Sequence, residues 1–397
     1  MYRFLLAERL LTNNGPTLEG HVLVLTKNGC IDDILPPGHE FIPEDSTIEK
    51  PKGLICPGFV NAHCHLELSA MKGMIKEEER MVGFIGQVLK LRPLLSEEAI
   101  QSAIYGAEKE MISHGIVGVG DISNDRSTFE CKAEKRLRYH TFLEVFDLKP
   151  EEGDAVFQKA LDLQKELKAM GNDLTSSIVP HAPYTVSPHL FRLIRKQAIQ
   201  QDAIISYHNQ ESLAESELFI SHTGDFAKLY ERLGISLVPF LKTGKNSLRS
   251  VIDNFVPELN TLLVHNTFME EMDLLYASGY FKAATFCFCP RANLFIEGVL
   301  PNFPSFYNAG VPCAVGTDSY ASNHSLDILA ELKVIAQAAP EIPTETLLQW
   351  ATLNGALALR MDDALGRIEK GKTPGINLIE GLVNGKINGK TKVSKLG

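Results

Sequence analysis

The chain has 397 residues, enough for one large domain or a large domain with a small companion. Its apolar content of 44% and charged content of 22% are ordinary for a globular protein, and no apolar stretch approaches the ~20 residues that span a bilayer. The net charge of −10, with no Lys/Arg stripe carrying interleaved aromatics, excludes a nucleic-acid surface and leaves solubility as the use of the acidity.

Residues 1–56 read as short strands separated by turns: RFLLAERLLT, HVLVLTKNG and CIDDILPPG, with Asn-Asn-Gly and Asn-Gly as punctuation. The far end returns to this pattern with GRIEKGKTPGINLIEG and VNGKING, so residues 1–56 and 360–397 are expected to build one small β module. Residues 57–359 alternate instead. Strand-like apolar runs fall near 55–60, 116–122, 139–146, 176–181, 204–208, 261–265, 284–289 and 312–317. Charge-rich helical segments such as EEAIQSAIYGAEKEMISHG and SPHLFRLIRKQAIQQ lie between most of them. Repeated βα units of this number and length predict an α/β fold, a (β/α)₈ barrel. An open doubly wound sheet would want a Gly-rich turn after the first strand, and the residues there read NAHCHLELS. Long connections follow His65 and His208, where loops shape a substrate pocket. The Lys-rich tail from Asn384 reads as an exposed edge of the small module.

Five of the apolar runs end on a group that binds a metal or moves a proton: LICPGFVNAHCH, SSIVPH, AIISYH, NTLLVH and VPCAVGTD. In a parallel barrel these ends meet at one mouth. His63 and His65 are spaced i, i+2 and share a strand face, whereas Cys64 points away. His208 supplies a third imidazole. Asp318 adds a carboxylate; its bland alternative is a cap for the helix that begins near Leu326, a role that suits Ser325 better. Three imidazoles and a carboxylate suit a tetrahedral site, so His265 is read as a base or electrostatic partner of the water. Glu211 follows His208 where the chain leaves the strand and suits proton shuttling, against the bland reading of a helix-start acid. His181 is expected to donate to substrate, and His324 to be a loop residue. A divalent ion lowers the pKa of its water toward neutrality. The set therefore predicts hydrolytic displacement at an unsaturated carbon.

The seven cysteines, at 30, 56, 64, 131, 287, 289 and 313, are odd in number and form no CxxC pair. With no charged-then-apolar leader, a reduced, cytoplasmic protein is expected. Cys287, Cys289 and Pro290 lack the order of a cytidine-deaminase zinc motif.

With those residues located, the chain resembles the amidohydrolase superfamily over nearly its whole length. PGFVNAHCH is similar to the family's first-strand motif. PHAPYTVSP, HNQES, LLVHNTF, CPRANLFI and GTDSYASNHSLDILAEL are similar to segments of its deaminase and chlorohydrolase branch, and GRIEKGKTPGINLI to the return to its β-sandwich. The resemblance implies one divalent metal, zinc first and ferrous iron second, held by His63, His65, His208 and Asp318. It implies proton transfer by Glu211, His265 and Asp318, and a small-molecule substrate touched by His181, Glu67 and Ser322. A homodimer is a family expectation. Relatives with two metals carry a lysine on the fourth strand; SSIVPHAPY has none, which favours one metal and leaves Glu144 as the remaining candidate for a second. The last motif departs from the family's Ala-Asp with Gly375, Ile376 and Asn377. HCHLELSA is most similar to aminodeoxyfutalosine deaminases of bacterial menaquinone synthesis, with Glu67 expected at the pocket rim. Deaminases of adenosine, methylthioadenosine or S-adenosylhomocysteine, chlorohydrolases, a binuclear hydrolase and a catalytically inactive binding protein are the alternatives.

Overall fold

The structure, a computed structural model, describes residues 2–42, 48–238, 240 and 242–396. The alternating middle forms eight parallel strands: β1 (Phe59–Cys64), β2 (Ile116–Ser123), β3 (Arg138–Val145), β4 (Thr175–Pro180), β5 (Ile205–Asn209), β6 (Thr261–His265), β7 (Ala284–Phe288) and β8 (Cys313–Val315). They pair in sequence order as two four-stranded sheets. The His208 amide donates to the His181 carbonyl at 3.0 Å across one seam. The Thr317 and Asp318 amides donate to the His63 carbonyl at 3.0 and 3.1 Å across the other. These bonds close the ring, so strand ends far apart in sequence reach a common mouth.

The predicted helices form where the caps allow. Ser96 accepts from the Ala99 amide ahead of Glu97–Ser113, and Ser187 caps Pro188–Gln201 with proline in the first turn. Beyond β8, the helix Ile328–Ala338 is capped by Asp327, which accepts from the Leu329 and Ala330 amides. Ser325 was the expected cap; its hydroxyl instead accepts from Arg291 at 2.6 Å. Among the described residues, no helix is long and apolar enough to cross a membrane.

The run expected as one strand at 55–60 is two. Leu54–Pro57 pairs with Ile376–Glu380 in a five-stranded sheet, and β1 begins at Phe59. Gly58 makes the break: a Cβ there would meet Val117 Cγ1 at 2.5 Å and the Pro374 carbonyl at 2.8 Å. A second sheet holds Ile31–Leu35, Val22–Thr26, Tyr2–Leu6 and Ile48–Glu49. Between the two sheets Leu5, Leu10, Leu23, Ile55, Ile376 and Leu378 bury a core. Full burial of each such side chain contributes about 1.5–3 kcal/mol. Asn377, in the motif that departs from the family, lies buried and donates to the Gly115 carbonyl at 2.9 Å, joining this module to the turn that enters β2.

Candidate metal centre

β1 delivers two imidazoles to one point. Nε2 of His63 and Nε2 of His65 lie 3.1 Å apart, and Nε2 of His208 lies 3.3 Å from that of His65. Asp318 Oδ1 lies 3.5 Å from His65 Nε2 and 3.9 Å from His63 Nε2. His208 gives its Nδ1 proton to the His181 carbonyl at 2.9 Å, which turns an Nε2 lone pair into the cluster. Burial pushes all three imidazoles down, His63 and His208 well below the ordinary value; neighbouring imidazoles add to the effect on those two. They are neutral, the form that binds metal. Unprotonated nitrogens this close repel one another unless a cation sits among them. Three imidazoles and a carboxylate are a zinc or iron donor set, so the residues fit the expected ion.

Supporting contacts fix each ligand. Ser322 Oγ donates to Asp318 Oδ2 at 2.7 Å. Asn61 and Thr317 exchange two hydrogen bonds beneath the cluster, at 2.7 and 3.0 Å, holding β1 against the end of β8. Gly316 lets the strands approach: a Cβ there would meet the His63 carbonyl at 2.7 Å and its Cβ at 2.8 Å.

Beside the ligands lies a proton-handling pair. His265 Nε2 is 3.3 Å from Glu211 Oε1, and its Nδ1 is 3.3 Å from Asn293 Oδ1. Asn293 is held in turn by Thr267 Oγ1. Burial, then the nearby Asp318 carboxylate, raises the Glu211 carboxyl well above the ordinary range. Burial lowers His265, opposed by Asp318. Glu211 therefore carries a proton and His265 does not.

The expected substrate contacts divide. The His181 ring is half-buried, bonded through Nδ1 to Thr185 Oγ1 at 2.7 Å, with Phe146 edge-on at 5.9 Å. Burial lowers it to about 3, so it is a neutral donor or acceptor. Glu67, expected at the rim, has a fully enclosed side chain. Its Oε2 accepts from the Asn124 amide at 2.9 Å and lies 3.4 Å from Arg92, and burial raises it to about 7. It braces the wall and does not face a ligand. Ser322 is likewise fully buried and serves Asp318. Glu144 lies 3.4 Å from His208 Nδ1 and accepts from Asn124 Nδ2 at 3.2 Å. With His181 and His208 it forms a second possible donor set that shares His208. His324 is exposed and lies 3.2 Å from Glu77, away from the ligands. A cavity of about 680 Å³ lies at the opposite end of the barrel, against Asn260, Ala284 and Val311.

Sequence reasoning missed Asn61, Asn293, Gly316 and Thr317 as parts of the site. Asn293 and Thr317 lie within the motifs CPRANLFI and GTD. Their roles depend on cross-strand partners that spacing does not reveal.

Residues 54–396 match the amidohydrolase family. The chain belongs to that family. It is a hydrolase of carbon–nitrogen bonds other than peptide bonds. It is 30% identical over 329 residues to an adenosine deaminase of Helicobacter pylori, covering 80% of this chain and 77% of the relative. It is 27% identical over 347 residues to a 5-methylthioadenosine/S-adenosylhomocysteine deaminase of Thermococcus onnurineus, covering 85% and 76%. Among solved structures, Helicobacter pylori aminofutalosine deaminase in complex with methylthio-coformycin superposes with a TM-score of 0.79 at 26% identity, covering 96% of this chain and 93% of that one.

Proposed function

We propose that this amidohydrolase is a metal-dependent aminohydrolase that deaminates a purine nucleoside, with His63, His65, His208 and Asp318 as ligands to one divalent ion. The observation that carries this reading is the convergence of three imidazole Nε2 atoms and Asp318 beside the Glu211–His265 pair. The reading takes one metal, because His208 Nδ1 is already bonded to the His181 carbonyl. Zinc is the first expectation and ferrous iron the second.

When bound, the ion supplies Lewis acidity that brings a water's pKa toward neutrality. The chain's own residues do the rest. His265, neutral and anchored by Asn293, accepts a hydrogen bond from the attacking water and orients it. Asp318, steadied by Ser322, takes the water's proton. Protonated Glu211 gives its proton to the ring nitrogen next to the amine-bearing carbon as that nitrogen gains electron density. The proton on Asp318 then goes to the departing amine, which leaves as ammonia. His181 lies beside His208 and contacts the substrate.

The lead substrate is aminodeoxyfutalosine, deaminated to futalosine in menaquinone biosynthesis. It is supported by the HCHLELSA string and by likeness to the aminofutalosine deaminase structure. Adenosine, methylthioadenosine and S-adenosylhomocysteine form the second reading, on the similarity of their deaminases. An ammonia-release screen over these four nucleosides with zinc-loaded protein tests both. Fastest turnover of aminodeoxyfutalosine is expected. No ammonia from any of them would end the deaminase reading and leave the inactive binding protein. The seven free cysteines suit a reducing compartment such as the cytoplasm.

A further inference from the structure

We propose that Asp121 and Lys132 form a positioning pair that sets the bite of the His63–His65 chelate, and with it the affinity for the metal. The β1–β2 ladder pairs Asn61 with Val119 and resumes at Cys64 with Asp121, so β1 carries one extra residue between those pairs. Such a bulge kinks a strand and re-aims its side chains. In a regular strand, residues i and i+2 stand about 6.6 Å apart along the axis; in β1 the two Nε2 atoms meet at 3.1 Å. The bulge must be held at its far end. The Leu66 amide, first after His65, donates to Asp121 Oδ1 at 2.8 Å.

Asp121 Oδ2 lies 2.6 Å from Lys132 Nζ, and neither side chain is exposed at all. Lys132 also donates to Ser123 Oγ at 2.9 Å, which in turn meets Thr128 Oγ1 at 3.0 Å. A buried ion pair is a weak stabiliser compared with well-packed apolar residues. The value of this one is a rigid carboxylate oxygen beneath the chelating turn. Neither residue touches the metal position; both act through the backbone of His65 and Leu66.

Two double variants isolate that bond. Asp121→Asn with Lys132→Met removes both charges and keeps an amide oxygen for the Leu66 N–H. Asp121→Ala with Lys132→Met removes the charges and the acceptor. Metal-free protein is titrated with Zn²⁺ against a chromophoric chelator. The first double is expected to bind zinc close to the unaltered protein. The second is expected to bind about 10- to 100-fold more weakly, with the two metal-free thermal midpoints alike. Equal affinities of the two doubles would overturn the proposal. Should the alanine double fail to fold, the Co²⁺ visible band of Lys132→Met decides: a shifted band is expected, and an unchanged one overturns the proposal. The inference rests on the metal reading above. Absence of zinc binding by the unaltered protein would end that reading, whereas equal doubles would end this one alone.

Discussion

His265 and Asp318 hold their backbones at φ 74° and 56°, and Gln210 and Asn266, which flank the site, at 45° and 57°. Left-handed backbone at non-glycine residues costs on the order of 1–3 kcal/mol and gathers at functional sites. Asp, Asn and His tolerate it best. The strain turns the chain inward as each strand ends, which brings Asp318 to the histidines and His265 to Glu211. Spacing identified these residues as strand ends but carried no sign of the twist. His265→Asn and Glu211→Gln are each expected to lower turnover roughly 10²- to 10⁴-fold while the metal stays bound. Steady-state kinetics with elemental analysis checks this, and near-normal turnover in either variant would remove its assigned role. His63→Ala should lose metal and activity together. Gly316→Ala should do the same without removing any ligand, because the added methyl would press the His63 backbone at 2.7 Å. A full metal complement in that variant would show that the strands can part without cost.

At the scale of elements, the helix Ile328–Ala338 braces the Asp318 loop from below. Its Glu331 accepts from Asn323 Nδ2 at 2.8 Å, and Asn323 donates onward to the Thr317 carbonyl at 2.9 Å. Removing its cap with Asp327→Ala should cost about 1 kcal/mol of stability and leave zinc stoichiometry unchanged. The urea midpoint measures the first and metal analysis the second. The barrel strands were legible because each is a short apolar run ending in polar chemistry. The split at Gly58 was not, because LICPGFV is apolar throughout and only packing against Val117 and Pro374 interrupts it. The cap was misassigned because Ser325 and Asp327 are both good capping types, and the backbone turn alone decides between them.

Over the whole molecule, burial sets a stability profile with two opposed limbs. It raises Glu67 to about 7 and Glu144 and Glu331 to about 8. Above the ordinary carboxyl value of 4.5, the unfolded chain releases protons that the folded chain keeps, so stability falls as pH rises toward 8. Burial lowers His140 and His181 to about 3. Below the ordinary imidazole value of 6.5, the unfolded chain takes up protons that the folded chain refuses, so stability falls as pH drops. The metal-free protein should therefore melt highest between about pH 4.5 and 6.5. Glu331→Gln should flatten the alkaline limb and His140→Gln the acid limb. Thermal scans from pH 4 to 9 decide it, and a midpoint still climbing at pH 8 would mean that burial does not hold protons on these carboxyls.

By itself the sequence determined the alternation of strands and helices, and the kind of residue that ends each strand. Both follow from local patterning: apolar runs must be buried, and a polar group after one lies at an edge. Only the tertiary structure decided which of those residues meet. The enclosure of Glu67, the turn of Ser322 toward Asp318 and the reach of Asp121 to the Leu66 amide are contacts between residues 4 to 57 positions apart. Such distances close only when the barrel does, because ring closure, not sequence spacing, brings the strand ends together.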